Sequence, residues 1–497
     1  MSDPVPRTPA TSNPMTPVLL NRTSGDRDAT QPQETPKTQD QPTDATTSAN
    51  RGEAGQIPMT LAELLPTYRR SLPEKLPAEI WPDAAVAMPS GDLVVSGVSL
   101  TELADRFGTP GYVLDLPTLR AQCRAYRALD AEIAYAGKAF LCRRMARLIA
   151  EEGLSLDVCS GGELTTALSA GFPAERILLH GNAKTDAELR AAAHAGVGRV
   201  VVDSLAEIDR LSGAQDVLIR VTPGVDGHTH RAVATGVEDQ KFGVSLAGGQ
   251  AAVAVARVLA RPELRLVGLH CHLGSQITDI AAYEEAVRRL VAFLAEIAVR
   301  HGAALPQLNL GGGHAVAYCP GDAAFDLRCF ASRIPRVLTD ECRKHGLLPP
   351  RLTLEPGRAI AARAGLTLYR VVTVKHSSAR TYVAVDGGFS DNPRAELYGA
   401  RYTARLVGRF SNAQKRAMHV VGRHCEAGDV LIPDAQLPSD IRTGDLLAVP
   451  CTGAYHHSMA STYNLVPRPP VLTVDDGEAE LWVRRETEDD ILRRDTP

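Results

Sequence analysis

No CxxC pair occurs among the nine cysteines, and their odd number leaves at least one thiol unpaired. That pattern argues against a secreted disulfide framework and fits a reducing compartment. No apolar run reaches the roughly 18 residues that a membrane-spanning helix needs, and the N-terminus has no apolar signal-peptide core. An excess of one charge is missing too. Against 58 Asp and Glu stand 54 Lys and Arg, a net charge of −4, so no global basic field exists for nucleic acid or anionic lipid. There is no GxSxG elbow for a serine nucleophile and no GxGxxG dinucleotide fingerprint. With 44% hydrophobic and 23% charged residues, the expectation is a globular cytoplasmic enzyme with a sizeable core.

Residues 1–57 contain no aromatic residue and are crowded with Pro, Thr, Ser, Gln and Asp. Such a stretch buries too little apolar surface to offset its ordering entropy, which predicts a disordered tail. Order is expected from about Met59, where Leu61, Leu64 and Leu65 give the first helical spacing. Eight β-rich runs follow, each leading into an Ala/Leu/Arg-rich helical pattern: Ile133–Ala136, Leu154–Val158, Ile177–His180, Val200–Val202, Val217–Val221, Leu266–His270, Leu308–Leu310 and Leu352–Leu354. The first four recur about every twenty residues, the repeat of a minimal βα unit. Continuous apolar strands alternating with helices predict an α/β chain with a TIM-like (β/α)8 barrel over 116–367. After Leu366, alternating segments such as Leu366–Val374, Thr381–Val385, His419–Val421 and Leu446–Val449 predict an antiparallel β-domain over 368–497. Leu93–Val95 and Tyr112–Leu114, within 58–115, are expected to join it.

Catalytic groups of a barrel sit just after its strands. Here Lys138, Asp157 with Ser160, Asn182, Asp203, Arg220, His272 with Ser275, Gly311–Gly313 and Glu355–Arg358 occupy those eight places in turn. Lys138 alone would be a solvated surface lysine. In a barrel mouth a desolvated amine loses its proton readily, which suits a carbonyl-binding lysine. The glycine run could be a plain turn, yet glycines after strands seven and eight are where such barrels cradle phosphate. Glu355 could pair with Arg358 or with a protonated ring nitrogen. Lysine, phosphate cradle and carboxylate together meet the needs of pyridoxal phosphate. For metal, His270 and His272 share one strand face, and His228, His230, His456 and His457 are further candidates; no carboxylate follows in ligand-like spacing, so no metal site is expected.

At these residues the chain resembles the diaminopimelate decarboxylase family, of the fold-type III, alanine-racemase-like class of pyridoxal-phosphate enzymes. The matching stretches are Tyr135-Ala-Gly-Lys-Ala139, Asp157-Val-Cys-Ser-Gly-Gly-Glu-Leu164, His180-Gly-Asn-Ala-Lys184, Lys241-Phe-Gly243 and His272-Leu-Gly-Ser-Gln276. Further on come Gly311–Gly313, Glu355-Pro-Gly-Arg358, Asn392-Pro-Arg-Ala-Glu-Leu-Tyr398, His424-Cys-Glu-Ala-Gly-Asp429 and Gly453-Ala-Tyr455. The resemblance covers about Leu100 to Asp495.

It implies a homodimer with shared active sites, and decarboxylation of meso-2,6-diaminopimelate at its D-centre to L-lysine and CO2. By the same resemblance Lys138 would hold the cofactor aldehyde, with Asp157 in the cofactor site, and His272 would stack on its ring. Ser275, Gly312, Gly313, Pro356, Gly357 and Arg358 would bind the phosphate side, with Glu355 at the ring nitrogen and Tyr455 touching the cofactor. Arg358, Arg394, Tyr398, Glu426 and Tyr455 would bind substrate, and Cys425 would donate the proton, Cys425 and Glu426 coming from the partner subunit. Two departures are Ala183, where asparagine is common, and His314, where an aliphatic residue usually follows the three glycines. Competing readings are a sister decarboxylase of ornithine, arginine or a conjugated diamino acid, a racemase, and a non-catalytic homologue. Arg394 and Tyr398 would lack a partner if the substrate had no distal carboxylate.

Overall fold

The computed structural model describes residues 73–226 and 241–496. The tail expected over 1–57, the helical start near Met59, and His228 and His230 lie outside the described residues.

All eight expected barrel strands are present: β1 (Glu132–Ala136), β2 (Ser155–Val158), β3 (Ile177–Leu179), β4 (Arg199–Val202), β5 (Gln215–Thr222), β6 (Leu264–His270), β7 (Gln307–Asn309) and β8 (Arg351–Leu354). Every neighbouring pair is parallel, β8 pairs with β1, and the β4–β5 pairing closes the ring. The unbroken apolar runs have a simple cause. Ala134, Leu178, Val201, Leu218 and Val267 form a cluster of their own, while their neighbours Ile133, Tyr135, Ile177, Leu179, Val200 and Val202 belong to the large core with the helices. The strands that supply these residues are therefore buried on both faces, as a parallel barrel requires.

After β2, β3 and β4 the strand-to-helix turns are short, and polar residues cap the helices that follow. Ser160 caps Gly161–Ser169, Thr185 caps Asp186–Ala195 in a reciprocal pair with Glu188, and Ser204 caps Leu205–Arg210. Ser160, expected among the chemical groups of the mouth, is thus a helix cap.

The second sheet is built on Gly365–His376, which pairs antiparallel with Gly111–Asp115, Thr381–Val385 and Leu446–Pro450. It is not wholly antiparallel: Val471–Asp475 runs parallel to Gly111–Asp115, and Thr381–Val385 parallel to Lys415–Val421. Tyr112–Leu114 joins this sheet, whereas Leu93–Val95 does not. Ser96 and Gly97, both at positive φ, turn the chain so that Leu93–Val95 pairs with Val98–Ser99 in a separate four-stranded sheet. That sheet packs its Leu93 and Val95 against Leu366, Leu368, Leu446 and Leu472. No helix among the described residues is long and apolar enough to cross a membrane.

Candidate active site

A cavity of about 150 Å³ opens at the strand ends, lined by Lys138, His272, Ser275, Gly313, Glu355, Pro356, Gly357 and Arg358. Arg394, Tyr398 and Tyr455, from the chain beyond the barrel, complete its wall. Residues separated by more than 300 positions are thus brought together.

Glu355 is the most constrained group. Its carboxylate lies 2.7 Å from His180 Nε2 and 3.2 Å from His270 Nε2, and it accepts 2.6 Å from Asn309 Nδ2. Burial alone would raise its pKa, but the charges and hydrogen bonds of His180 and His270 hold it well below the ordinary range. Burial lowers His270 to about 4. His180, His270 and Glu355 are also the one described trio whose ligand atoms fall within 4.8 Å of one another. The Glu355 oxygens are already engaged by His180, His270 and Asn309.

Lys138 stands just beyond β1 in the short turn Gly137–Ala139. Desolvation was expected to strip its proton. Burial does act in that direction, but the fields of Asp157, Tyr455 and Glu355 outweigh it and raise the amine above the usual lysine range. Asp157 is itself pushed up to about 6 by burial, against the pull of His180 and Lys138. It is buried and does not line the cavity. These fields favour the ammonium form of Lys138, while burial holds the Asp157 carboxyl above the usual carboxylate range.

The phosphate side differs in one detail from the expectation. Gly313 reaches the cavity, but the Gly312 N–H donates to His272 Nδ1 at 3.2 Å. That bond makes Nδ1 the lone-pair nitrogen of a neutral ring, and burial together with the Lys138 charge drives the His272 pKa well below 6.5. Gly312 must be glycine for another reason: a Cβ there would sit 2.1 Å from the Glu355 carbonyl oxygen. At Gly313, φ of +104° excludes most side chains.

Arg358 and Arg394 are 9% and 5% exposed, and neither forms an ion pair among the described residues. Arg358 donates to Ser275 Oγ at 2.9 Å and to the Tyr318 hydroxyl; Arg394 donates to the Tyr402 hydroxyl. The Nε of each has no hydrogen-bond partner among the described residues. Two buried cations without carboxylates call for anions from outside the chain.

Cys425 and Glu426 are exposed and do not line the cavity. Their turn is held by Asp429, which accepts from Phe389 N at 2.7 Å and His424 N at 2.8 Å, and Glu426 accepts from the Tyr463 hydroxyl at 2.9 Å. Asp203 and Arg220 pair with each other at 3.4 Å and lie outside the cavity lining. Ala183 is exposed, so no buried partner awaits an asparagine there. His180, Asn309, Tyr318 and Tyr402 were not singled out as site residues, and His270 was weighed only for metal; His180 opens the matching stretch after the third strand, which could have marked it, whereas Asn309, Tyr318 and Tyr402 carry no spacing signal.

The residues fit pyridoxal phosphate: an amine for the aldehyde, a carboxylate held ionised, and buried guanidinium groups lacking an anion. The pyridoxal-binding domain of pyridoxal-dependent decarboxylases matches residues 116–362. A diaminopimelate decarboxylase of Actinosynnema pretiosum subsp. auranticum is 58% identical over 443 residues, 88% of this chain and all of that protein. The diaminopimelate decarboxylase of Mycobacterium tuberculosis is 47% identical, covering 84% of this chain and 98% of that protein. Among solved structures, the M. jannaschii diaminopimelate decarboxylase in complex with L-lysine superposes with a TM-score of 0.77 at 30% identity, over 84% of this chain and 98% of that one. The chain therefore belongs to the diaminopimelate decarboxylase family of pyridoxal-dependent decarboxylases.

Proposed function

We propose that this chain removes CO2 from the D-centre of meso-2,6-diaminopimelate to give L-lysine, the last step of lysine biosynthesis, using pyridoxal phosphate held by Lys138. The observation that carries this reading is the pair of buried arginines without acid partners, in one cavity with Lys138 and Glu355. When bound, pyridoxal phosphate supplies the electron sink for the bonding pair left behind by CO2.

The chain's own groups do the rest. Lys138 would bind the aldehyde, and the field of the buried Asp157 carboxyl acts on its amine. Glu355, fixed by Asn309 and held ionised by two histidines, would place a negative charge at the ring nitrogen. His272 would present its neutral ring to the cofactor. Ser275, Gly313 and Gly357 with the Arg358 backbone would form the phosphate side, the Gly312 N–H being already given to His272 Nδ1. Arg358, Arg394, Tyr398 and Tyr455 hold the distal L-centre, whose carboxylate answers their unpaired charge. Cys425 protonates the carbon and Glu426 receives the distal ammonium, both from the partner of a homodimer. Their exposure and their separation from their own chain's cavity favour that arrangement. The reading takes 116–367 as the cofactor barrel and 368–497, with 58–115, as the β-domain of a cytoplasmic enzyme.

The test is a substrate panel of meso-, LL- and DD-diaminopimelate, ornithine and arginine, with CO2 and amine measured. Lysine and CO2 should come from the meso isomer; equal turnover of ornithine would overturn the reading.

A further inference from the structure

We propose that Tyr318 is a positioning residue that sets substrate selectivity by holding Arg358 and Arg394 together as two uncompensated cations. The proposal rests on the reading of this cavity as a site for a diamino acid with a distal carboxylate.

Tyr318 lies in the loop after β7 and is 6% exposed. It serves the two arginines with two different parts of one side chain. Its hydroxyl oxygen accepts from Arg358 Nη1, while its ring face carries Arg394, whose guanidinium carbon stands 4.6 Å from the ring centroid. Tyr402 backs this arrangement. Its hydroxyl accepts from Arg394 Nη1, and its ring meets Tyr318 edge-on at 5.4 Å and 82°. Tyr455 offers a second ring face to Arg358 at 4.6 Å. Neither Tyr318 nor Tyr402 lines the cavity; both stand behind the arginines.

Two like charges at close quarters, away from water, repel each other strongly. A carboxylate between them would relieve that repulsion, but it would also cancel the field that an anionic substrate end must meet. Phenol oxygens and π-faces stabilise guanidinium groups without adding a full negative charge. The net positive charge is thus preserved for the ligand, and its position is set by a rigid aromatic wall. Tyr318 is the shared member. Removing it disturbs both cations at once, whereas of the two guanidinium groups Tyr402 meets Arg394.

The experiment compares two ligands that differ by one carboxylate. L-Lysine retains the distal carboxylate and cadaverine lacks it. Binding of each to the holoenzyme is followed by titration calorimetry for wild type, Tyr318→Phe and Tyr318→Leu, with melting curves to show that the variants are folded. Tyr318→Phe keeps the ring for Arg394 and loses the acceptor for Arg358. A hydrogen bond to a charged group is worth enough that L-lysine should bind about tenfold more weakly. Tyr318→Leu loses both contacts and should bind it on the order of a hundredfold more weakly. Cadaverine affinity should stay within about twofold in both variants. In turnover, the KM for diaminopimelate should rise while kcat holds, the mark of a lost uniform contact. Equal weakening of both ligands would make Tyr318 a merely structural residue, and no weakening of either would remove it from recognition; each result overturns the proposal. If wild type itself binds cadaverine as tightly as L-lysine, the underlying reading of the cavity fails instead.

Discussion

His314, which follows the three glycines, gives a stability prediction that can be worked through. Its ring lies flat on Phe325, with centroids 4.1 Å apart and planes 3° from parallel, and it is 2% exposed. The Tyr126 hydroxyl lies 2.8 Å from Nδ1, and Nε2 has no partner. Burial among Tyr283, Phe325 and Phe330 pushes its pKa down to about 3. An unfolded chain titrates histidine near 6.5. As pH falls below that value, the unfolded chain takes up a proton that the folded chain refuses. The stabilisation is therefore present above pH ~6.5 and is lost progressively toward pH 3. Between pH 7 and pH 5 the loss is about 2 kcal/mol.

His314→Phe alone would keep the stack but strand the Tyr126 hydroxyl, at a cost of about 1–3 kcal/mol at any pH. The double variant Tyr126→Phe/His314→Phe removes both polar groups, so it isolates the titration. Urea unfolding of cofactor-free protein at the two pH values is the assay. The stability of the double variant relative to wild type should improve by about 2 kcal/mol from pH 7 to pH 5. A gap that does not change with pH would show that the imidazole titrates normally, and the burial argument would fail.

Glu355→Gln should leave the fold intact but weaken retention of pyridoxal phosphate by about tenfold or more, since a charged hydrogen bond becomes a neutral one; dialysis followed by cofactor absorbance measures this, and unchanged retention would remove Glu355 from the ring-nitrogen role. Homodimers of Lys138→Ala and of Cys425→Ala should each be nearly inactive, yet mixing them under exchange should restore about a quarter of full activity by random pairing. A mixture no more active than its parents, with exchange shown by mass spectrometry, would place the donor in the same chain as Lys138.

Burial pattern decided what was legible in the sequence. Most barrel strands could be read because their apolar residues fall on both faces, so the runs are continuous and bounded; β7, Gln-Leu-Asn, is legible mainly from its place before the glycine run. Leu93–Val95 could not be assigned its partner, because the choice between a local hairpin and the distant sheet depends on the turn at Ser96–Gly97. Lys138 was legible by place and illegible by charge state. Asp157, Glu355 and Tyr455 come from three separate parts of the chain, and their sum reverses the effect of burial. His270 and Glu355 are 85 residues apart, and only the barrel makes them neighbours. Tyr318 and Tyr402 have no motif at all; an aromatic residue behind an arginine looks like ordinary core until the missing carboxylate is noticed.

The attachment point of the cofactor is the most direct measurement of all. Borohydride reduction of the holoenzyme, followed by peptide mapping, should find one pyridoxyl group, on Lys138, and none in Lys138→Ala. A reduced pyridoxyl group on any other lysine of the wild-type protein would contradict the assignment of this cavity as the catalytic site.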